Sequence, residues 1–149
     1  IGIRPGIIYG IGRDQGLTSK TTAATLAAAA GIPYTIPFSG AISALHAGEA
    51  AAAFIKAVST KQYGAPVFDL NGVSTTVEEW VTIISMIEPK SRINISGDVL
   101  PCPFDLSDQP IRNYLGNYGT VNLKLGIKQT FITFKNLLSR GEILANNLN

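Results

Sequence analysis

The sequence predicts an α/β fold, and three features carry that prediction. Residues Ile1 to Ile8 are nearly all apolar apart from Arg4, the pattern of a strand buried on both faces of a parallel sheet. That stretch runs into a glycine-rich loop, Gly10 to Gly16, which delivers the chain to a helix. Beyond the loop, short apolar strands alternate with helical patterns in a chain of 149 residues that is 46% hydrophobic and 15% charged. Such a chain can bury the core of one compact α/β unit, and no repeat or low-complexity linker divides it.

Taken in order, the first helix is expected from about Ser19 to Ala30, with Thr18 or Ser19 as N-cap and Gly31 at C′. It is almost pure Ala, Thr and Leu, so it must pack closely on a neighbour. Tyr34 to Phe38 reads as a short strand whose flanking Pro33 and Pro37 suit a sheet edge. Gly40 to Leu45 then leads into a second Ala-rich helix, about Gly48 to Val58, with Phe54 and Ile55 as its large apolar residues. Val67 to Leu70 is the next strand, closed by Asn71-Gly72. Two overlapping capping boxes, Thr75 with Glu78 and Thr76 with Glu79, open an amphipathic helix with Val77, Trp80, Val81, Ile84 and Ile87 on its apolar face; Pro89 ends it. Arg92 to Ser96 alternates like a strand and Gly97-Asp98 turns it. Asp105-Leu106-Ser107-Asp108 caps a short helix reaching Leu115-Gly116. The last helix runs from about Leu125 to Leu138 with Ile127, Phe131, Phe134 and Leu138 on one face, and the tail from Asn146 is expected to fray.

Composition excludes several classes of function. The net charge is +2 and the 12 Lys and Arg residues form no run, so neither a nucleic-acid nor a membrane-surface footprint is present. No stretch of about 20 apolar residues exists to span a bilayer. Cys102 is the single cysteine, which excludes an internal disulfide and fits a reducing cytoplasm. Pro101-Cys102-Pro103 has no His nearby to activate the thiol. The chain opens on a strand pattern at Ile1 without a signal peptide or a methionine, and a preceding part of the protein is expected.

Gly10-x-Gly12-x-x-x-Gly16 suggests a dinucleotide fingerprint, because glycines let backbone approach a pyrophosphate at a helix N-terminus. The spacing departs from G-x-G-x-x-G, since position 15 is Gln, and no acidic residue follows about 20 residues on to meet a ribose. A turn-rich substrate loop is the better reading. Within it, Arg13 and Asp14 either form a surface ion pair worth ~0–1 kcal/mol or leave Arg13 for an anionic part of a ligand. His46 is the only histidine; a structural hydrogen bond at the helix start suits it better than acid–base work, for which Glu49 is its one nearby partner. One His, one Cys and scattered carboxylates do not make a metal site. Trp80, Phe131 and Phe134 are core residues by spacing.

Arg4-Pro5-Gly6-x-x-Tyr9-Gly10, followed by a loop with Gly12-Arg13, resembles the sixth-strand segment of the extended short-chain dehydrogenase/reductases, the NAD-dependent epimerase/dehydratase type. His46-Ala47-Gly48-Glu49-Ala50-Ala51 is similar to the family's His-Val-x-Asp helix start, with Gly48 a departure. Gly97-Asp98, Asp105-x-Ser107 and Leu115-Gly116 follow the family's Gly-Asp, Asp-x-Ser-Lys and Leu-Gly order, and Leu125 to Phe134 looks like its last helix. The resemblance implies the C-terminal part of a Rossmann-type enzyme: residues 1–10 as a Rossmann-sheet strand and 11–149 mainly a small α/β substrate-binding domain, with helix 47–58 and strand 66–71 returning to the Rossmann sheet.

By the same resemblance, Pro5, Gly6 and Ile7 lie beside the nicotinamide of NAD or NADP, and Tyr9, Arg13, Thr18 and Ser19 contribute to substrate binding. The family's catalytic Tyr-x-x-x-Lys pair has no counterpart here, so no catalytic residue is expected in this chain. The implied whole protein is a cytoplasmic NAD(P)-dependent oxidoreductase, epimerase or dehydratase acting at a hydroxyl or carbonyl carbon of a small, sugar-like substrate, and a homodimer is compatible with it. Nucleotide-sugar members carry an Arg where this chain has Ile42, a second Arg where it has Asn94, Ile95 and Ser96, and an Asn where it has Ile7. A diphosphate would then lack its bidentate partners, so a less charged substrate is expected. Two rival readings are a non-catalytic nucleotide-sensing or assembly protein on the same scaffold, and an autonomous small domain with an anion-binding loop.

Overall fold

A computed structural model of the chain describes residues 1–13, 15–61, 64–145 and 148. The Arg13–Asp14 ion pair and the fraying expected at Asn146, Asn147 and Asn149 lie outside the described residues. The elements run β1 (Gly2–Pro5), β2 (Ile8–Tyr9), a single 3-10 turn (Leu17–Ser19), α1 (Lys20–Ala30), β3 (Tyr34–Ile36), β4 (Ala41–His46), α2 (Ala47–Ser59), β5 (Val67–Leu70), β6 (Val73–Thr76), α3 (Val77–Ile87), β7 (Ile93–Ile95), α4 (Gln109–Leu115) and α5 (Leu123–Ser139).

The opening is not one strand buried on both faces. It breaks at Gly6-Ile7 because its two halves pair with different neighbours: β1 lies parallel to β5, in register Gly2 with Val67 through Pro5 with Leu70, and β2 lies parallel to β4. Gly6 N–H closes the first pairing on the Leu70 carbonyl (2.8 Å), and the Ile7 carbonyl starts the second by accepting from Leu45 N–H (2.9 Å). β1 itself is half-exposed.

Two strands went unread in the sequence. Gly40 to Leu45 is not a connection but the start of β4, the central strand of the three-stranded sheet β2-β4-β6, antiparallel to β6. Val73–Thr76 forms β6 before the capping box acts. Thr76 then accepts from Glu79 N–H (3.0 Å), whereas Thr75 donates to the Glu79 carboxylate (2.6 Å), so one box works and the other braces it. β3 and β7 form a separate parallel pair, shorter than the Tyr34–Phe38 and Arg92–Ser96 spans predicted.

Helix starts also differ. Ser19 stands at the cap of α1, but its hydroxyl donates to the Gly16 carbonyl (2.7 Å) and Thr18 is engaged by Arg13, so neither caps the helix by side chain. Gly31, at φ 72°, closes α1 in the left-handed conformation that glycine adopts without strain. Asp108 precedes α4 without capping it, and α5 begins at Leu123 because Asn122 accepts from Leu125 N–H (3.2 Å).

Two hydrophobic clusters hold the fold. One places the β2-β4-β6 sheet against α1, α3 and α5 around Tyr9, Phe38, Trp80, Ile84 and Ile127. Trp80 Nε1 donates to Thr25 on α1 (3.2 Å), which explains a threonine buried in an alanine helix. The other joins α2, β5 and α4 through Leu45, Ala53, Leu70 and Ile111. Ala50, Ala53 and Ala57 of α2 face inward, while Phe54 and Ile55, its large apolar residues, are exposed (45% and 68%). On α3 the buried set includes Ile83 as well as Val77, Trp80 and Ile84. No described helix is long and apolar enough to cross a membrane.

A candidate substrate cleft at the carboxyl end of the first strand pair

β1 and β5 are parallel and end together, so the turns Gly6-Ile7 and Asn71-Gly72 leave the sheet side by side. The carboxyl edge of such strands is where open α/β sheets receive ligands. A cleft of about 730 Å³ opens there, lined by Pro5, Gly6 and Ile7, by Ser43, Leu70, Asn71, Cys102 and Leu106, and by Arg13 and Thr18.

The walls are fixed by buried polar contacts. Ile7 N–H donates to the Ser43 hydroxyl (2.9 Å), tying the β1–β2 break to β4. Gly6 sits so tightly that a Cβ there would collide with Ser43 Oγ and lie 2.9 Å from the Asn71 carbonyl oxygen. Asp108 turns its carboxylate onto Asn71 N–H and Gly72 N–H (3.1 Å to the latter) in place of capping its own helix. Gly72 is at φ 75° and packs on β4, leaving no room for a side chain. Asn71 Nδ2 and Ser74 Oγ both donate to the Phe104 carbonyl (3.1 and 2.6 Å), which anchors the loop carrying Cys102.

Three charged side chains line the cleft. Arg4 and Asp69 pair with each other across β1 and β5 (2.8 Å). Arg13 donates to the Thr18 hydroxyl (2.9 Å) and to the Gln15 carbonyl, both neutral acceptors. Among the described residues no carboxylate lies within ion-pair distance of Arg13.

The structure therefore brings Pro5, Gly6, Ile7, Arg13 and Thr18 to one cleft. It places Tyr9 and Ser19 elsewhere. Tyr9 is 1% exposed, edge-on to His46 and Trp80 at 5.2 and 4.8 Å between ring centroids. Burial first, and Glu49 second, push its phenol far above the ordinary value, so it remains neutral. A Cβ at Gly126 would collide with its hydroxyl, so α5 carries glycine where it crosses this ring. Ser19 is fully buried beneath the loop.

His46 caps α2: its Nδ1 accepts from Gly48 N–H (3.1 Å), and burial lowers its pKa. Glu49 does not orient it. That carboxylate is buried, pairs with Arg112 (3.1 Å) and accepts from Val121 N–H (2.9 Å). Arg112 in turn lies over the Tyr118 ring at 4.4 Å. Ile42, standing in the place of a family arginine, is 1% exposed in the first cluster. Sequence reasoning missed Ser43, Asn71 and Asp108 as residues of the cleft, and it gave Asp108 to the cap of α4.

No family model and no curated protein matches the sequence. Solved structures do match. A partial-consensus L-threonine 3-dehydrogenase aligns with a TM-score of 0.80 at 20% identity, over 90% of this chain and 48% of its own. UDP-glucuronic acid 4-epimerase from Bacillus cereus, in complex with UDP-glucuronic acid and NAD, aligns at 0.75 and 18% identity over 91% of this chain and 45% of its own. UDP-glucose 4-epimerase from Thermus thermophilus, in complex with NAD, aligns at 0.72 and 17% identity over 95% and 46%. The chain spans about half the length of these structures. Its α/β fold is that of about half of these dehydrogenase and epimerase structures.

Proposed function

We propose that this chain is the substrate-side part of an NAD(P)-dependent oxidoreductase, epimerase or dehydratase acting at a hydroxyl or carbonyl carbon. The observation that carries the proposal is the cleft itself: Pro5, Gly6 and Ile7 meet Arg13 and Thr18 at the carboxyl edge of a parallel strand pair. In this reading residues 1–10 belong to a Rossmann sheet and residues 11–149 mainly form the substrate domain. The pairing of β1 with β5 supports the return of strand 66–71 to that sheet.

The residues present fit one end of the cofactor. Pro5-Gly6-Ile7 offers an apolar backbone wall of the kind a nicotinamide ring packs against, while the phosphate-binding G-x-G-x-x-G loop is not in this sequence. NAD or NADP would supply hydride transfer. This chain's own part is to fix the wall through Ser43 and Asp108 and to present Arg13 and Thr18 to the substrate. The proton-transferring Tyr and Lys would come from outside these residues.

Neighbours named for a UDP-sugar and for L-threonine leave the substrate class open at the level of fold. The burial of Ile42 favours a substrate smaller and less charged than a nucleotide sugar, because the core occupies a position where a diphosphate needs a guanidinium. Calorimetric titration of the full-length protein with NADH and NADPH tests the reading, alongside nicotinamide absorbance with a panel of small alcohols and ketones. Binding of one cofactor and turnover support it. Failure of both cofactors to bind refutes it, and cofactor binding without turnover points to the sensing or assembly alternative.

A further inference from the structure

A second crevice, of about 390 Å³, lies between α1, α5, the glycine loop and Ile143 and Leu144 beyond α5. Its floor is apolar, built from Ala23 and Leu26 on α1 and Phe134 and Leu137 on α5. Two cations line it, Arg13 and Lys20, and no carboxylate does so among the described residues. Arg13 lines both cavities.

Among the described residues the charges that line the crevice are of one sign. Neither Arg13 nor Lys20 has an ion-pair partner among the described residues, and Lys20 opens α1, whose first turn holds no acidic residue to offset the positive end of the helix. Arg13 is held in place by two neutral acceptors, which orient the guanidinium without neutralising it and leave further N–H groups to donate. An apolar floor beneath paired cations is complementary to an amphiphilic anion. A nucleotide or a free sugar would leave the floor wet, and a hydrocarbon alone would leave the cations unmet.

We propose that the crevice binds the aliphatic tail of a monocarboxylate whose carboxylate is taken by Arg13, so that the adjoining carbon faces the main cleft. The inference rests on the dehydrogenase reading for what happens in that cleft, but binding in the crevice does not depend on it. The substrate class that follows is a hydroxy or oxo carboxylic acid with a short apolar chain.

The test is ligand-observed NMR on the full-length protein with three probes, hexanoate, hexanamide and inorganic phosphate, and with thermal melts to confirm that each variant is folded. Hexanoate is expected to bind roughly tenfold or more tighter than either of the others. Arg13→Gln is expected to lose about that factor and Arg13→Lys to recover part of it, as a charge-assisted bidentate contact requires. Lys20→Gln should weaken hexanoate by a smaller factor. Equal binding of hexanoate and hexanamide, equal binding of hexanoate and phosphate, or unaltered hexanoate binding by a folded Arg13→Gln variant would each overturn the proposal. So would hexanoate binding that appears only in Asp14→Asn, because Arg13 would then answer to its chain neighbour. An NADH titration on the same samples separates the two readings: hexanoate binding without NADH binding sinks the dehydrogenase alone, and the converse sinks the crevice alone.

Discussion

At the scale of single residues, Gly6 and His46 make claims that can be checked. Gly6 has no unusual backbone angle to explain it; the reason for glycine is the collision that a Cβ would make with Ser43 Oγ. Gly6→Ala must therefore push the β1–β2 break away from β4 or swing Ser43 off Ile7 N–H. Overpacking of this kind costs about 1–3 kcal/mol, and a buried N–H left without an acceptor costs a similar amount. Urea denaturation should show a loss of that size for Gly6→Ala, whereas Gly12→Ala, where no atom lies within 4 Å, should show only the smaller strain of its positive φ. His46 gives a pH dependence. Its Nδ1 accepts a hydrogen bond only when that nitrogen is unprotonated, and burial lowers its pKa in the folded state. The unfolded chain thus binds a proton more readily than the native one, so the contribution of His46 is complete above ~6.5 and is lost as pH falls through the lower, folded value. Melting temperatures from pH 7.5 down to 5 should fall more steeply for the wild type than for His46→Asn, which keeps a capping acceptor and does not titrate.

At the scale of elements, the ion pair Glu49–Arg112 ties the start of α2 to α4, and Glu49 also holds the segment before α5 through Val121 N–H. Glu49→Ala would leave Arg112 with its longer pairing to Asp108 (4.0 Å) and strand the Val121 N–H, a loss of about 1–3 kcal/mol. Glu49→Gln keeps an acceptor for Val121 and should recover a measurable part of it in the same denaturation series. The resemblance in sequence pointed to an acidic residue here but not to its partner, which lies 63 residues away. The same distance problem decided what else was legible. α3 could be read, apart from Ile83, because Val77, Trp80 and Ile84 repeat at helical spacing and Thr76 and Glu79 mark the start. β4 could not: all four of its central residues are buried, including Ser43, so no alternation betrays it. On α2 the buried face is made by Ala50, Ala53 and Ala57 while its largest residues face out; side-chain size is a poor guide to the buried face where two elements approach closely. The Pro5-Gly6-Ile7 wall was visible as a contiguous motif. The residues that position it, Ser43, Asn71 and Asp108, come from three segments that only the strand order β1-β5 and β2-β4 brings together.

For the molecule as a whole, the outward face of α2 is the feature that packing inside these residues leaves unaccounted for. Phe54, Ile55 and Val58 are 45%, 68% and 88% exposed and sit within one turn of each other. β1 pairs with β5 on one side, and among the described residues its other edge has no strand beside it. An exposed apolar cluster and an open parallel edge each favour association, since the hydrophobic surface and the free backbone groups both gain from a partner. Expressed by itself, the 149-residue chain is expected to self-associate in sedimentation velocity and to bind a hydrophobic dye. The triple variant Phe54→Gln, Ile55→Lys, Val58→Glu should suppress both. Because all three side chains are exposed in this fold, the variant should melt within a few degrees of the wild-type chain, as surface substitutions ordinarily do. A full-length protein that places the Rossmann sheet beside β1 and α2 would respond differently: the same three changes would then strike a buried interface and lower its stability by several kcal/mol. A triple variant that melts like the wild type in both contexts would show that α2 faces solvent in the whole protein. A variant that is neutral in the short chain and damaging in the long one would place the sheet against it.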